Sequence, residues 1–332
     1  MLLCAFQWAL FSQLLYHQQH HESTKLETCQ VMKSDGESDP SMVHPKRPPA
    51  VTNDDNHNKK FDGIAATVLL RAPKWFHRRY PVMIQNMLSN IPETWGVQIF
   101  LNEEWFLRDV RPHHPFLLFQ QKNPRIVVTP LPSELTKLKP KQIMKSEWLW
   151  SSMVVENVFM FSGNGVVCAN RKPAGLQISN FTEFSFVGTP SHKFGRRGGD
   201  GGTYSFRHRS AMLRVLQEHP VSESEQQETD TFYFLKHMTA SGSTFAVAPP
   251  QVTELFGHVP NDGSSVPMVV SGTLAHLSYE ARSNVLDICP ELKVIFPSLH
   301  EPTCFGAASK LNPAKCRSTI CALRDEVPGH GC

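Results

Sequence analysis

The distribution of apolar and polar positions divides the chain into three parts. Residues 1–16, MLLCAFQWALFSQLLY, are apolar almost throughout, broken only by Gln7, Ser12 and Gln13. Residues 17–60 are rich in His, Gln, Ser, Asp, Asn, Lys and Pro and carry no apolar periodicity. From Phe61 short apolar runs alternate with amphipathic stretches. IAATVLL (64–70) is continuous and β-rich, the pattern of a strand buried on both faces. Ile84, Met87, Leu88 and Ile91 then recur at i, i+3, i+4, i+7, which predicts a helix. WGVQIFL (95–101), RIVVTPL (125–131), NVFMFS (157–162) and FSFVGT (184–189) read as further strands, and 142–155 as helical. A glycine loop after the fifth strand opens a helix carrying Met212, Val215 and Leu216, and TFYFLKHM (231–238) and TFAVAPPQVTELFG (244–257) close the pattern.

Strands alternating with helices predict an α/β fold: one doubly wound, Rossmann-like domain around a central, mostly parallel sheet. The expected organisation is a signal-anchor at 1–16, a disordered stalk at 17–60, a domain at 61–300 and a Cys-containing tail at 301–332. The stalk has too little apolar surface to offset its chain entropy. The first segment is shorter than the roughly 20 residues of a membrane span. With no Lys or Arg before it, charge gives no orientation. A short signal-anchor, a degenerate signal peptide and an amphipathic start all stand open. The layout of apolar tip and polar stalk is that of a membrane-tethered lumenal enzyme; a cytoplasmic location is the alternative.

Composition narrows the function classes. A net charge of +3 over 332 residues, without a basic stripe, argues against a nucleic-acid partner. The eight cysteines form no CxxC pair, against a zinc ribbon. Cys304, Cys316, Cys321 and Cys332 fit either a disulfide-stapled tail in an oxidising compartment or free thiols. The triplet Asn180-Phe181-Thr182 is an N-glycosylation sequon, too short to weigh by itself.

Ligands of such sheets bind beyond the carboxyl ends of the strands. Arg71 follows the first strand, Asn164 in SGNG (162–165) the fourth, and GGDGG (198–202) the fifth. The block GGDGG is neither the GxGxxG of a dinucleotide fold nor a GxxxxGK[ST] phosphate loop, which argues against a nicotinamide dehydrogenase and a P-loop hydrolase. No GxSxG elbow occurs, against an α/β hydrolase. What remains is a glycine-rich turn offering bare backbone to a ligand, flanked by arginines.

The segments ENVFMFSGNGVVCAN, ISNFTEFSFVGTP and GRRGGDGGTYSFRHRSAM resemble a little-characterised family of glycosyltransferase-like proteins built on a domain of unknown function. Its pattern runs FQxDS, then a DYIGAPW-like segment, then GGNGG, and the resemblance extends over about residues 61–280. It implies a GT-A type nucleotide-sugar transferase moving a sugar to a hydroxyl of a carbohydrate or glycoconjugate acceptor, with a divalent cation, Mn²⁺ or Mg²⁺, on the donor diphosphate. It further implies a Golgi-like membrane of the secretory pathway, in type II orientation. By the same resemblance Arg71 lies near the nucleotide, and Gly198, Gly199, Asp200, Gly201 and Gly202 shape the sugar pocket. Arg207 follows that block, Asp230 is the general base for the acceptor hydroxyl, and Asn164 and His276 are the metal positions. Asn164 stands where the family carries Asp, and an amide oxygen is a weaker ligand than a carboxylate. A catalytically inactive member acting as a binding or scaffold protein is therefore the second reading. An N-cap is the competing role for Asp230.

Overall fold

A computed structural model of the chain describes residues 61–70, 76–102, 123–163, 165–169, 175–189, 204–257, 259, 263, 266–271, 274 and 277–295. All of them belong to one compact unit, Asn53–Cys332. In chain order the elements are β1 (Gly63–Leu69), α1 (Phe76–Asn90), β2 (Trp95–Leu101), β3 (Ile126–Pro130), α2 (Pro140–Ile143), α3 (Glu147–Ser151), β4 (Asn157–Met160) and β5 (Gly165–Val167). There follow β6 (Phe186–Gly188), β7 (Ser205–His208), α4 (Arg209–Glu218), α5 (Asp230–Met238), α6 (Pro250–Gly257), β8 (Val269–Ser271), α7 (Tyr279–Ile288) and α8 (Glu291–Ile295). Three 3₁₀ turns cover Leu135–Lys137, Ile178–Phe181 and Glu225–Gln227.

The main sheet has six strands in the order β3-β2-β1-β4-β7-β6. The pairs β3–β2, β2–β1 and β1–β4 are parallel, and β7 runs antiparallel to both of its neighbours. The expected α/β fold with a central, mostly parallel sheet is the one observed. β1 and β2 are buried along nearly their whole length and mainly apolar, because both faces are covered. One face packs against α1, α6, α7 and α8 through Met83, Ile84, Met87, Phe256, Val285 and Leu292. The other packs against α3, α4 and α5 through Leu149, Trp150, Met212, Val215, Phe234 and Leu235. At the start of the sheet Gly63 lies so close to the Trp95 indole that a Cβ there would sit 2.3 Å from the ring, so only glycine admits this register.

Two buried amide side chains, of Gln98 and Asn86, lock the layers. Gln98 of β2 donates to Thr129 Oγ1 and to the Ser152 carbonyl, both at 2.8 Å, and its Oε1 accepts from Val154 N–H. Asn86 of α1 exchanges two hydrogen bonds of 2.9 Å with the backbone of Val167, imitating a neighbouring strand for β5. β5 pairs with β8 in a second, two-stranded sheet. Cys168, just past β5, is disulfide-bonded to Cys289 at the end of α7, and both are fully buried.

Two expectations change. The glycine block does not lead directly into a helix: β7 intervenes, and α4 begins only at Arg209. The pattern hid this strand because its inward face carries Ser205 and Arg207 in place of apolar residues. The helical stretch 142–155 is two short helices, broken where Ser146 caps α3 by accepting from Leu149 N–H. The disulfide among the described residues joins Cys168 and Cys289, a pairing the sequence reading does not propose; the tail cysteines lie outside the described residues. The signal-anchor (1–16), the whole of the stalk (17–60) and the tail from 301 onward lie outside the described residues. Among the described residues no helix is long and apolar enough to cross a membrane.

Candidate functional site

The chain runs outward from β1 through β2 to β3, then returns to place β4 on the opposite side of β1. Open α/β sheets bind ligands at such a reversal of strand order, outside the carboxyl ends of the strands. Here those ends are Leu69 of β1 and Met160 of β4, and Ser205, the first residue of β7, is the register partner of Met160. Strands β1, β4 and β7 thus meet the same edge side by side. Arg71, Asn164 and the block Gly198, Gly199, Asp200, Gly201 and Gly202 adjoin these strand ends in sequence. All of them lie outside the described residues, as does His276.

The two described members of the expected set, Arg207 and Asp230, are brought together. Arg207 sits in β7 between Val158 of β4 and Phe186 of β6, so its side chain shares the sheet face of those residues. It is 2 % exposed. Its Nε donates to Ser205 Oγ at 2.8 Å, which leans the guanidinium toward the carboxyl edge. Nη2 donates to Asp230 Oδ2 at 2.6 Å and, more weakly, to Thr231 Oγ1 at 3.4 Å. The rings of Phe186, Trp150 and Phe234 lie 5.0, 5.6 and 5.6 Å from the guanidinium carbon. Three cation–π contacts and one ion pair offset part of the desolvation of this cation, while Nη1 is buried without a hydrogen-bond partner among the described residues.

Asp230 is the first residue of α5. The N-cap is Thr229, whose Oγ1 accepts from Phe232 N–H at 3.2 Å, so the cap role considered for Asp230 belongs to its neighbour. A carboxylate in the first turn of a helix is favoured by the helix dipole. Asp230 retains 17 % side-chain exposure, with Oδ2 committed to Arg207. Among the described residues its Oδ1 takes no hydrogen bond. A buried arginine therefore orients a carboxylate whose second oxygen is unbonded among the described residues.

Sequence reading missed the cation nearby. Lys145, in the turn between α2 and α3, is 5 % exposed and donates to the carbonyls of Glu225 and Glu228. Burial depresses its pKa, an effect opposed chiefly by the charge of Asp230. No spacing in KSEW marks it; only packing of α2 against the 225–227 turn buries it. Arg207 and Lys145 make the surroundings of Asp230 cationic, which suits an anionic ligand and disfavours a second cation on that carboxylate. Among the described residues no group of three His, Cys, Asp or Glu is placed to hold a metal ion.

A second polar cluster ties the α4–α5 connection. Glu225 Oε1 accepts from Lys236 Nζ at 2.6 Å and contacts His237 Nε2 at 3.2 Å, while Oε2 accepts from Ser222 Oγ at 2.7 Å. Hydrogen bonds from Lys236 and Ser222 hold this carboxyl well below the usual carboxylate range. The His237 ring stacks on His219 with centroids 4.3 Å apart, and burial lowers its pKa. Tyr233 hydroxyl donates to the His219 carbonyl. Every polar partner in this cluster is internal, so it fastens the segment that delivers Asp230.

Comparison with known proteins bears on the same stretch. No curated protein matches the chain. A family model described as "Protein of unknown function (DUF5672)" matches residues 131–261, from the end of β3 to just past α6. That span is narrower than the expected 61–280, yet it contains Arg207, Asp230 and the glycine block. Over these residues the chain is similar to a family whose description assigns no activity.

Proposed function

We propose that the chain is a GT-A type glycosyltransferase, moving a sugar from a nucleotide-sugar donor to a hydroxyl acceptor, and that Asp230 is its general base. The observation that carries the reading is the carboxylate held by Arg207 through Oδ2, with Oδ1 unbonded among the described residues, at the start of α5. A general base needs a fixed direction and a free lone pair. The reversal of strand order between β1 and β4 supports a ligand at the edge that Arg71, Asn164 and the glycines adjoin.

In the proposed reaction the acceptor hydroxyl gives its proton to Oδ1 as its oxygen bonds the anomeric carbon. The nucleotide diphosphate departs with the electron pair of the bond that breaks. Lys145 adds positive potential beside the carboxylate. A divalent cation on Asn164 and His276 would neutralise the diphosphate, and Arg71 would serve the same charge. A secretory-pathway location belongs to the same proposal, and the buried Cys168–Cys289 disulfide supports an oxidising compartment.

The second reading, an inactive binding or scaffold protein, draws on the same ion pair. A buried Arg–Asp couple needs no catalytic role to be retained, and Asn164 is neutral. Titration calorimetry with nucleoside diphosphates, with and without Mn²⁺, followed by donor-hydrolysis assays on the wild type and Asp230→Asn, separates the two. The transferase reading expects nucleotide binding in both proteins and a loss of turnover of about 100-fold or more in the variant. No nucleotide binding at all overturns it. Binding without turnover, restored by Asn164→Asp, identifies an impaired copy.

A further inference from the structure

We infer that Asn180 is a site of N-linked glycosylation. Asn180-Phe181-Thr182 is the single Asn-x-Ser/Thr triplet in the 332 residues, and the structure places its Asn on an exposed turn, with the Thr182 hydroxyl donating to the Ser179 carbonyl at 2.9 Å. It lies on the 3₁₀ turn Ile178–Phe181, pinned to the domain by Ile178 and Phe181, which are buried. The Phe181 ring meets that of Phe256 edge-on at 5.1 Å. Asn180 between these anchors is exposed. Its Oδ1 accepts from Gln177 N–H at 2.6 Å, so the amide carbonyl holds the turn. Among the described residues Nδ2 makes no hydrogen bond.

That division of labour suits the modification. Attachment forms a bond between Nδ2 and the anomeric carbon of an oligosaccharide carried on a lipid pyrophosphate. One Nδ2 hydrogen leaves as a proton, and the lipid pyrophosphate departs with the electrons of the broken glycosyl bond. The carbonyl is untouched, so the turn keeps its Gln177 contact after glycosylation. A bulky, soluble glycan at an exposed turn costs the core nothing. The disulfide between Cys168 and Cys289 is an independent pointer, because stable buried disulfides form in the compartments where this modification occurs.

The inference rests on the proposed secretory compartment and not on the transfer chemistry. The test is expression of the full chain in secretory eukaryotic cells, with a denaturing gel before and after an Asn-glycan-specific glycosidase. One downward step is expected for the wild type and Thr182→Ser, and none for Asn180→Gln or Thr182→Ala. The readout is denaturing, so a variant that folds poorly is still scored. No step in the wild type, or a step that persists in Asn180→Gln, overturns the site. Nucleotide binding measured on the same samples shows whether the transferase reading survives that outcome.

Discussion

Arg207 illustrates how much a single residue's environment decides. As a letter after a glycine block it reads as a surface cation; in the fold it is enclosed by Phe186, Trp150 and Phe234 and paired with Asp230. A planar fork reaches Ser205, Thr231 and Asp230 together, which a point-charge ammonium cannot do. Arg207→Lys is expected to destabilise the domain by about 2–4 kcal/mol, read as a lower urea midpoint with unchanged slope. Asp230→Asn, at a partly exposed position, should cost less, about 1–2 kcal/mol. The Glu225 and His237 pair carries a pH prediction. His237 is held neutral by burial, below its ordinary 6.5, and Glu225 is held ionised, below its ordinary 4.5. In both cases the unfolded chain binds more protons than the native one, so stability falls as pH falls. Thermal melts from pH 7 to pH 4 should show a loss beginning near 6.5 and steepening below 4.5. His237→Gln should flatten the upper part and Glu225→Gln the lower.

Among elements, legibility followed length and continuity. β1 and β2 were readable because burial on both faces leaves a mainly apolar run, interrupted by one polar residue each, Thr67 and Gln98, and α1 because its core residues repeat with helical period. β5 and β8, three residues each, are too short to show any period, and β7 conceals its strand character behind Arg207. β5 is also held by something no periodicity encodes: the amide of Asn86, which occupies a helix face and serves as a strand partner. Asn86→Leu should therefore leave the Val167 N–H and C=O unpaired and cost about 2–4 kcal/mol, more than the loss of one side-chain hydrogen bond. Hydrogen exchange should show accelerated opening of 165–167 ahead of the main sheet.

For the whole molecule the disulfide is the long-range closure. Cys168 and Cys289 are separated by 121 residues and join the two-stranded sheet to the end of α7. Chain entropy assigns a loop of that size roughly 4–5 kcal/mol. The double replacement Cys168→Ala, Cys289→Ala should lower the denaturation midpoint accordingly. Reductant should shift the wild type toward the variant. Such a separation could not be paired from sequence, where eight cysteines without a CxxC motif allow many connectivities.

What the sequence determined by itself was the class of fold: the order of buried runs and amphipathic stretches leaves little but a parallel-rich sheet between helical layers, because each pattern records which faces must leave water. The residues of chemical interest were also nameable from it, one at a time. Only the tertiary structure decided that Arg207 is buried and bonded to Asp230, that Lys145 stands beside them, and that Thr229 caps the helix. These are relations between positions far apart in the chain, fixed by how β7, α5 and the turn before α3 pack, and no local periodicity carries them.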